Sequence, residues 1–467
     1  MNHSVVCVVP PYYRLIESKN NRITPAIHYA TQVLSNAGIK VTLVNGDYAD
    51  ENISYSDRYS IYCNSWLFKE RYKSDLSVFE KTIDEVMKYD PSTVIISAGD
   101  VLIPTVEIGN AQSCAIIAEG IKRRNKNIRC IGYGHMLKYA ESNLLNNLDF
   151  IITSECEDLL VDIVLGNNSA LNCVNDHWLF DLDRLPILTT DNISQKIIKY
   201  DFDYIMSMRG CQYKCNFCLQ STMRNFTSTL SVENFKKNLI YRIKDIGLTN
   251  FYFADMVFLP KNDSRKEEMI SMLIDIKKQY PSFKWCCEER TNNLIENDYL
   301  QFREAGCYHI KFGVEALEQK MLKTFGKKTS IENINKSFLY AKQAGLETTA
   351  YVLIGCPGFS DEDYKKMFPL FCNLQATNYV INISVPYCGT ALYQQVFNDL
   401  QRNGIYKNEE GLCHLSTEMP KVWGISIETI QKYFSLPRKK EDMIYRKYER
   451  KIVNPKIYFE ENRIEYI

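Results

Sequence analysis

Residues 208 to 222 read MRGCQYKCNFCLQST, with Cys211, Cys215 and Cys218 falling in a C-x-x-x-C-x-x-C spacing. Placed at random at the frequency of cysteine in this chain, that spacing would occur about 0.02 times, so chance is a poor account of it. A closed structural zinc site needs four ligands, and outside the cluster no Cys or His lies between His177 and Cys286. Zinc stays open only through a distant ligand folding back. An iron-sulfur cluster on three thiolates explains the missing ligand differently, because one iron remains open to bind something else.

Around the thiols the chain alternates strand and helix patterns. YDFDYIMSM, NFYFAD, FKWCCEE, YHIKFGVE, TTAYVLIG and NYVINISV read as strands, and SVENFKKNLIYRIKDIGL, RKEEMISMLIDIKKQY and IENINKSFLYAKQAGL read as helices between them. Six such units over residues 201–397 imply a partial (β/α)6 TIM-like barrel with its chemistry at the carboxyl ends of the strands.

Upstream, residues 1–166 carry SVVCVVPP, IKVTLVNG, STVIISAGD, IRCIGYGH and LDFIITSE, separated by helical stretches such as TPAIHYATQVLSNAG. Apolar β-branched runs alternating with helices imply an α/β, doubly wound, Rossmann-like parallel sheet. A ligand would then lie across the loops at Pro10-Pro11, Ser97–Asp100, Gly132–His135 and Ser154-Glu155, although a plain tight turn explains each loop equally well. Residues 167–200 are polar and aperiodic and read as a linker. Residues 398–467 form a small C-terminal region with no recognisable motif, expected to face the substrate.

Lysine and arginine number 56 against 56 aspartates and glutamates, so no global field favours nucleic acid or an anionic membrane surface. No apolar run reaches the ~20 residues of a membrane helix, and the opening MNHSVVCVVPPYYRL lacks the pattern of a secretion signal. Sixteen cysteines, mostly scattered singly, fit a reducing compartment, and a cytoplasmic protein is expected.

RGCQYKCNFC resembles the cluster motif of the radical S-adenosylmethionine (radical SAM) superfamily, including an aromatic residue, Phe217, before the third Cys. The resemblance runs to about residue 395. FYFADMVF is similar to a second-strand DD-x-F stretch, with Ala254 replacing the first Asp. CEERTNNL, FGVEAL and AYVLIGCPGFSDED resemble later segments, and VPYCGTALY resembles a turn after the last strand, with Cys388 in place of Pro. The resemblance implies that Cys211, Cys215 and Cys218 hold a [4Fe-4S] cluster whose open iron binds SAM. It also implies that Glu315 and the backbone near Ile354 and Gly355 contact SAM, with Asp255 and Glu289 facing the same cavity. A helix cap or an ion-pair partner is the competing reading of those last two.

A doubly wound domain before such a barrel resembles the cobalamin-binding domain of the cobalamin-dependent subfamily. IGYGH is similar to its GGPH loop and SECED stands in the place of its GEGE turn, with Tyr133, Gly134, Ser154 and Cys156 as departures. Ser97, Gly99, Gly132, Gly134, His135 and Glu155 are the cobalamin contacts this implies. No D-x-H-x-x-G motif occurs in residues 1–170, so no histidine from such a loop is expected beneath the corrin. His28, within a helical stretch, reads as a core or surface residue.

The family reaction cleaves SAM with one electron, from a donor such as flavodoxin or ferredoxin, into methionine and a 5′-deoxyadenosyl radical. The subfamily's commonest activity is methyl transfer from methylcobalamin to a carbon of a small-molecule or peptide substrate, and this is the leading expectation. Rearrangement, ring contraction or cyclisation without methyl transfer is the alternative, and a cluster or cobalamin sensor is a third. Methylthiotransferases share the barrel but carry a second three-Cys cluster, a pattern that Cys7, Cys63 and Cys114 do not resemble.

Overall fold

Runs such as SVVCVV and TVIIS contain little besides β-branched residues and are buried along their length, as strands covered by helices on both faces must be. In the computed structural model they belong to a six-stranded parallel sheet. Its strands are β1 (Ser4–Val9), β2 (Lys40–Asn45), β3 (Thr93–Ser97), β4 (Arg129–Tyr133), β5 (Phe150–Ile152) and β6 (Cys173–Val174), in the order β2-β1-β3-β4-β5-β6. The structure describes residues 4–11, 23–46, 77–103, 109–140, 142–167, 173–194, 203–260, 264–384, 386–387, 389–402 and 423–437. Contacts divide the chain into two units, the boundary falling between Asp201 and Phe202.

In the first unit, helices α1 (Pro25–Asn36), α2 (Ser77–Met87) and α3 (Gly109–Arg124) flank the sheet. Phe79 and Ile83 of α2 and Ile117 and Ile121 of α3 pack with Val6, Val94 and Ile96 in one core. The strand order reverses between β1 and β3, which places a ligand crevice at the carboxyl ends of those strands. Asp100, just after β3, reaches the amino end of α1: Ala26 N–H donates to its Oδ2 at 3.2 Å, while Leu102 N–H donates to Oδ1 at 2.7 Å. Thr24, at the N-cap of α1, makes no side-chain cap, so a carboxylate from a distant loop satisfies that helix end.

The stretch expected to be a linker is instead built into this unit. Residues 173 and 174 form β6 on one edge of the sheet, and Ile193 bridges to Leu43 on the opposite edge strand, with Leu43 N–H donating to Asn192 O at 2.8 Å. Between them Thr189 bonds α1 through Gln32 and His28. Its polar residues satisfy strand edges and a helix, which is why aperiodicity was a poor guide to it. His28 is thereby accounted for structurally.

The second unit holds another parallel sheet, β7 (Asp203–Ile205), β10 (Asn250–Phe253), β11 (Lys284–Glu289), β12 (Cys307–Glu315), β13 (Glu347–Ile354) and β14 (Asn378–Ile383), paired in sequence order. β7 and β14 are its two edges, so the barrel is partial. Between β7 and β10 a small antiparallel pair, β8 (Met208–Arg209) with β9 (Ser228–Thr229), closes the base of the three-cysteine loop. The outer face is apolar: Trp285 stacks on Phe253 at 4.7 Å, meets Phe302 edge-on at 5.2 Å, and donates its indole N–H to Ala305 O at 2.9 Å.

Asp255 and Glu289, expected to face the cofactor cavity, are engaged by the chain itself. Asp255 is 1% exposed and accepts from Ser207 N–H at 2.8 Å, Ser207 O–H at 2.7 Å and Met208 N–H at 2.8 Å. Glu289, 3% exposed and on the same side of β11 as Trp285, accepts from Leu259 N–H at 2.9 Å, Arg290 N–H at 3.0 Å and Asn293 Nδ2 at 2.9 Å. They fix the loops that leave β7, β10 and β11, since an unpaired buried amide is expensive.

Burial raises both carboxyl groups to about 7, against the lowering effect of these hydrogen bonds. A folded-state pKa above the unfolded value means that the native state holds more protons, so this contribution to stability falls as pH rises from about 4 to 7. Asp255→Asn keeps a matching shape and cannot ionise. Thermal unfolding should therefore show the melting temperature of the variant, relative to wild type, climbing between pH 5 and pH 8; a pH-independent difference would contradict this.

Candidate functional site

Within the three-cysteine loop, Cys218 N–H donates to Cys215 O and Ser221 N–H to Cys218 O, each at 3.1 Å, so consecutive tight turns present the thiols. Gly210 begins the loop at φ +84°, where a Cβ would lie 2.0 Å from Phe226 O. Burial pushes the Cys218 thiol up to about 12, helped by charge on Cys215 and Cys211, and burial also raises Cys211. The thiols therefore sense one another. Two cations oppose that repulsion: Arg290 Nη1 is 3.6 Å from Cys215 Sγ, and Lys327 lowers both Cys211 and Cys218.

Among the described residues no group of three His, Cys, Asp or Glu side chains converges on a point suited to one metal ion. Three thiols presented by the turns of one loop suit a polynuclear cluster, in which each thiolate takes a different iron. The positive charge of bound iron would also deprotonate thiols that burial otherwise keeps neutral.

The loop is clipped to the segment after β12. Asn216 N–H donates to Phe325 O at 2.9 Å, its Nδ2 to Thr324 O at 2.7 Å, and its own carbonyl accepts from Leu392 N–H at 2.9 Å. Phe217, expected near the cofactor, packs edge-on against Phe325 at 5.4 Å and so serves this clip. Tyr213 O–H donates to Asn293 Oδ1 at 2.8 Å, linking the loop to Glu289 through Asn293, while the Arg290 guanidinium lies 3.9 Å over the Tyr213 ring.

At the end of β12, Glu315 has φ +62° and the pairing with β13 shifts between Gly313 and Glu315. Such a conformation in a residue with a side chain is retained where a site requires it. Its carboxylate pairs with Lys327 at 3.1 Å, both side chains nearly buried. A Cβ on Gly313 would stand 2.8 Å from Lys327 Nζ and 2.9 Å from Glu315 Oε1, so a side chain there would make the ends of the pair shift.

Ile354 and Gly355 end β13. Gly355 has φ +101°, its N–H donates to Tyr364 Oη at 2.9 Å, and Ile354 O accepts from Ser384 N–H at 2.7 Å. Trp423 covers Gly355, where a Cβ would fall 2.4 Å from its Cδ1, and donates to Ser384 O at 3.0 Å. Trp423 is 9% exposed. Cys388, Cys413 and His414 lie outside the described residues, as does Cys63.

A polar interior face was missed. Tyr252, Glu288, Lys311 and Tyr351 alternate with the apolar residues that face the helices. Glu288 Oε1 accepts from the hydroxyls of Tyr252 and Tyr351, Lys311 Nζ lies 4.9 Å over the Tyr252 ring, and His309 bonds Thr349 at 2.8 Å. Barrel interiors are usually filled by branched apolar side chains. Lys311 pairs with Glu288 and with Thr349, and Glu315 pairs with Val352 three residues further along β13, so this face lies about 10 Å below the Glu315–Lys327 level. The signal was the period-two placement of polar residues in FYF, CCEE, HIKFG and TAYVL.

The first unit brings Gly99, Gly134 and His135 together at the carboxyl edge. A Cβ on Gly134 would lie 2.0 Å from Ala98 O, and one on Gly99, at φ +85°, would lie 2.8 Å from Met136 Cγ and 3.3 Å from His135 Cε1. His135 Nδ1 lies 2.8 Å from Asp100 O. Ser97 ends β3 and is buried. Gly132 is a packing position, its missing Cβ replaced by Leu137 and Leu148. Glu155, 1% exposed, accepts from Leu179 N–H at 2.9 Å.

The family model of the Radical SAM superfamily matches residues 205–370. An uncharacterized methyltransferase of Pyrococcus horikoshii, PH0819, is 25% identical over 66% of this chain and 70% of its own length. A hopanoid C-3 methylase of Methylococcus capsulatus is 23% identical over 52% of this chain and 49% of its own length. Among solved structures, the radical S-adenosylmethionine methyltransferase TsrM of Kitasatospora setae, with cobalamin and a [4Fe-4S] cluster bound, superposes with a TM-score of 0.63 at 13% identity, over 85% of this chain and 78% of that one. Residues 205–370 thus match a radical SAM domain, the kind that works with a [4Fe-4S] cluster and SAM, and the chain shares the fold of the TsrM structure.

Proposed function

We propose that this protein is a cobalamin-dependent radical SAM methyltransferase acting on a carbon centre of a small-molecule or peptide substrate. The observation that carries the reading is the clipping of the three-thiol loop, through Asn216, onto the segment that bears Lys327 beside Glu315. Methyl transfer is supported by the names of the two curated relatives, and cobalamin by the corrinoid in the TsrM structure. Among the described residues no helix is long and apolar enough to cross a membrane.

When bound, the cluster supplies the electron that cleaves SAM and the corrinoid carries the methyl group to be transferred. Cys211, Cys215 and Cys218 would hold the cluster, with Arg290 and Lys327 offsetting its thiolate charge. Glu315 and Lys327 present one carboxylate and one ammonium side by side, the complement of the ammonium and carboxylate of SAM. Opening that buried pair onto a zwitterion leaves no charge uncompensated. Ile354 and Gly355 would border the rest of SAM. Tyr252, Glu288 and Tyr351, one layer below, would orient substrate and keep water from the reacting centre. In the first unit, the loops holding Ser97, Gly99, Gly134, His135 and Glu155 would border the corrinoid, with Gly132 packing behind them.

Anaerobic reconstitution of the full chain should give about four irons per molecule and a retained corrinoid absorption band, with iron lost in Cys215→Ala. With a reductant and substrate, S-adenosylhomocysteine should accompany 5′-deoxyadenosine and a methylated product. 5′-Deoxyadenosine with an unmethylated product would sink methyl transfer in favour of rearrangement or cyclisation, and no SAM cleavage would favour a sensor. Glu315→Gln should weaken SAM binding about 10- to 100-fold by calorimetry, the effect of losing one charged hydrogen bond; unchanged affinity would remove Glu315 from the site.

A further inference from the structure

An open depression of about 750 Å³ lies beside the cysteine loop, lined by Glu318, Lys320, Lys323, Lys327 and Lys328 among others. Lys327 is buried against Glu315. Lys320, Lys323 and Lys328 are exposed, and none pairs with a carboxylate among the described residues. The nearby acids are already engaged: Glu318 Oε2 accepts from Met321 N–H at 2.6 Å, and Glu332 pairs with Lys336 at 2.6 Å. Lys320 lies 5.9 Å over the Phe359 ring and acts on the Asp363 carboxyl, yet in a chain whose formal charges cancel overall the depression carries a local excess of positive charge.

Its position gives the field a use. Lys323 and Lys327 flank Thr324, Phe325 and Gly326, the segment that Asn216 bonds between Cys215 and Cys218. The wall of the depression is therefore one hydrogen bond away from the backbone of the thiol loop. A small anion would be held by converging, partly buried donors. Separate, exposed ammonium groups instead suit the edge of a macromolecular contact, where charge steers encounter and fixes orientation.

We infer that this lysine-lined face is the docking surface for an acidic one-electron donor protein, of the kind represented by flavodoxin. The inference rests on the radical SAM reading, since it assigns the face to the partner that charges the cluster. In the step served, the reduced donor loses one electron and the cluster gains it; no atom is transferred. Charge complementarity selects this occupant, and proximity to the thiols makes the contact productive.

The test compares wild type with Lys320→Glu/Lys323→Glu/Lys328→Glu in the reconstituted full chain, with Lys278→Glu as a control near the end of another helix. Two reductants drive 5′-deoxyadenosine formation from SAM: dithionite and a pre-reduced acidic flavodoxin. Flavodoxin binding is measured separately by calorimetry at low and high salt. The triple variant should lose flavodoxin binding and flavodoxin-driven turnover by about tenfold or more at low salt, converge with wild type at high salt, and keep its dithionite-driven rate. Equal flavodoxin binding and turnover in both proteins would overturn the inference, as would a parallel loss of the dithionite rate, which would place the lysines in the SAM site. Binding of heparin without flavodoxin would overturn it in favour of a polyanion face. If wild type cleaves no SAM with either reductant, the radical reading fails, and the binding measurement alone still decides the docking claim.

Discussion

Asn216 is the residue on which the geometry of the site turns. It stands between Cys215 and Phe217, and its N–H, side-chain amide and carbonyl are bonded to Phe325, Thr324 and Leu392. One residue thus joins the thiol loop to the segment that leaves β12 and to the helix after β14. Without those bonds, a loop of tight turns outside the barrel sheet would have little to hold its thiols beside Glu315 and Lys327. Phe217 on Phe325, and Tyr213 on Asn293, add a second and a third attachment.

The electrostatics follow from that placement. Burial makes Cys211 and Cys218 resist ionisation, and the structure sets Arg290 and Lys327 near the thiols, each held by a partner of its own: the Tyr213 ring in one case and Glu315 in the other. Buried charge pairs add little net stability and are demanding in geometry. Their presence beside a left-handed Glu315 is the pattern of a site in which local stability is given up for chemistry.

Much of this was legible in the chain. The six strand patterns of the second unit and the thiol spacing placed the barrel and its loop, because period-two and period-3.6 patterns are local signals. Other features depended on tertiary context. Glu288 and Glu289 are adjacent, and only the packing of Trp285 against the helices decides that Glu289 faces outward and Glu288 inward. The strap from Cys173 to Ile193 looked like a linker because its bonds go to sheet edges and to α1, partners that are distant in sequence. The capping of α1 by Asp100 was invisible for the same reason.

In the proposed function Cys211, Cys215 and Cys218 would hold the cluster, and Glu315 and Lys327 would bind the SAM that completes it. Electron paramagnetic resonance of the reduced, reconstituted protein tests this arrangement most directly. A single reduced [4Fe-4S] signal should appear and change its g-values when SAM is added. A signal that SAM leaves unmoved would contradict the account.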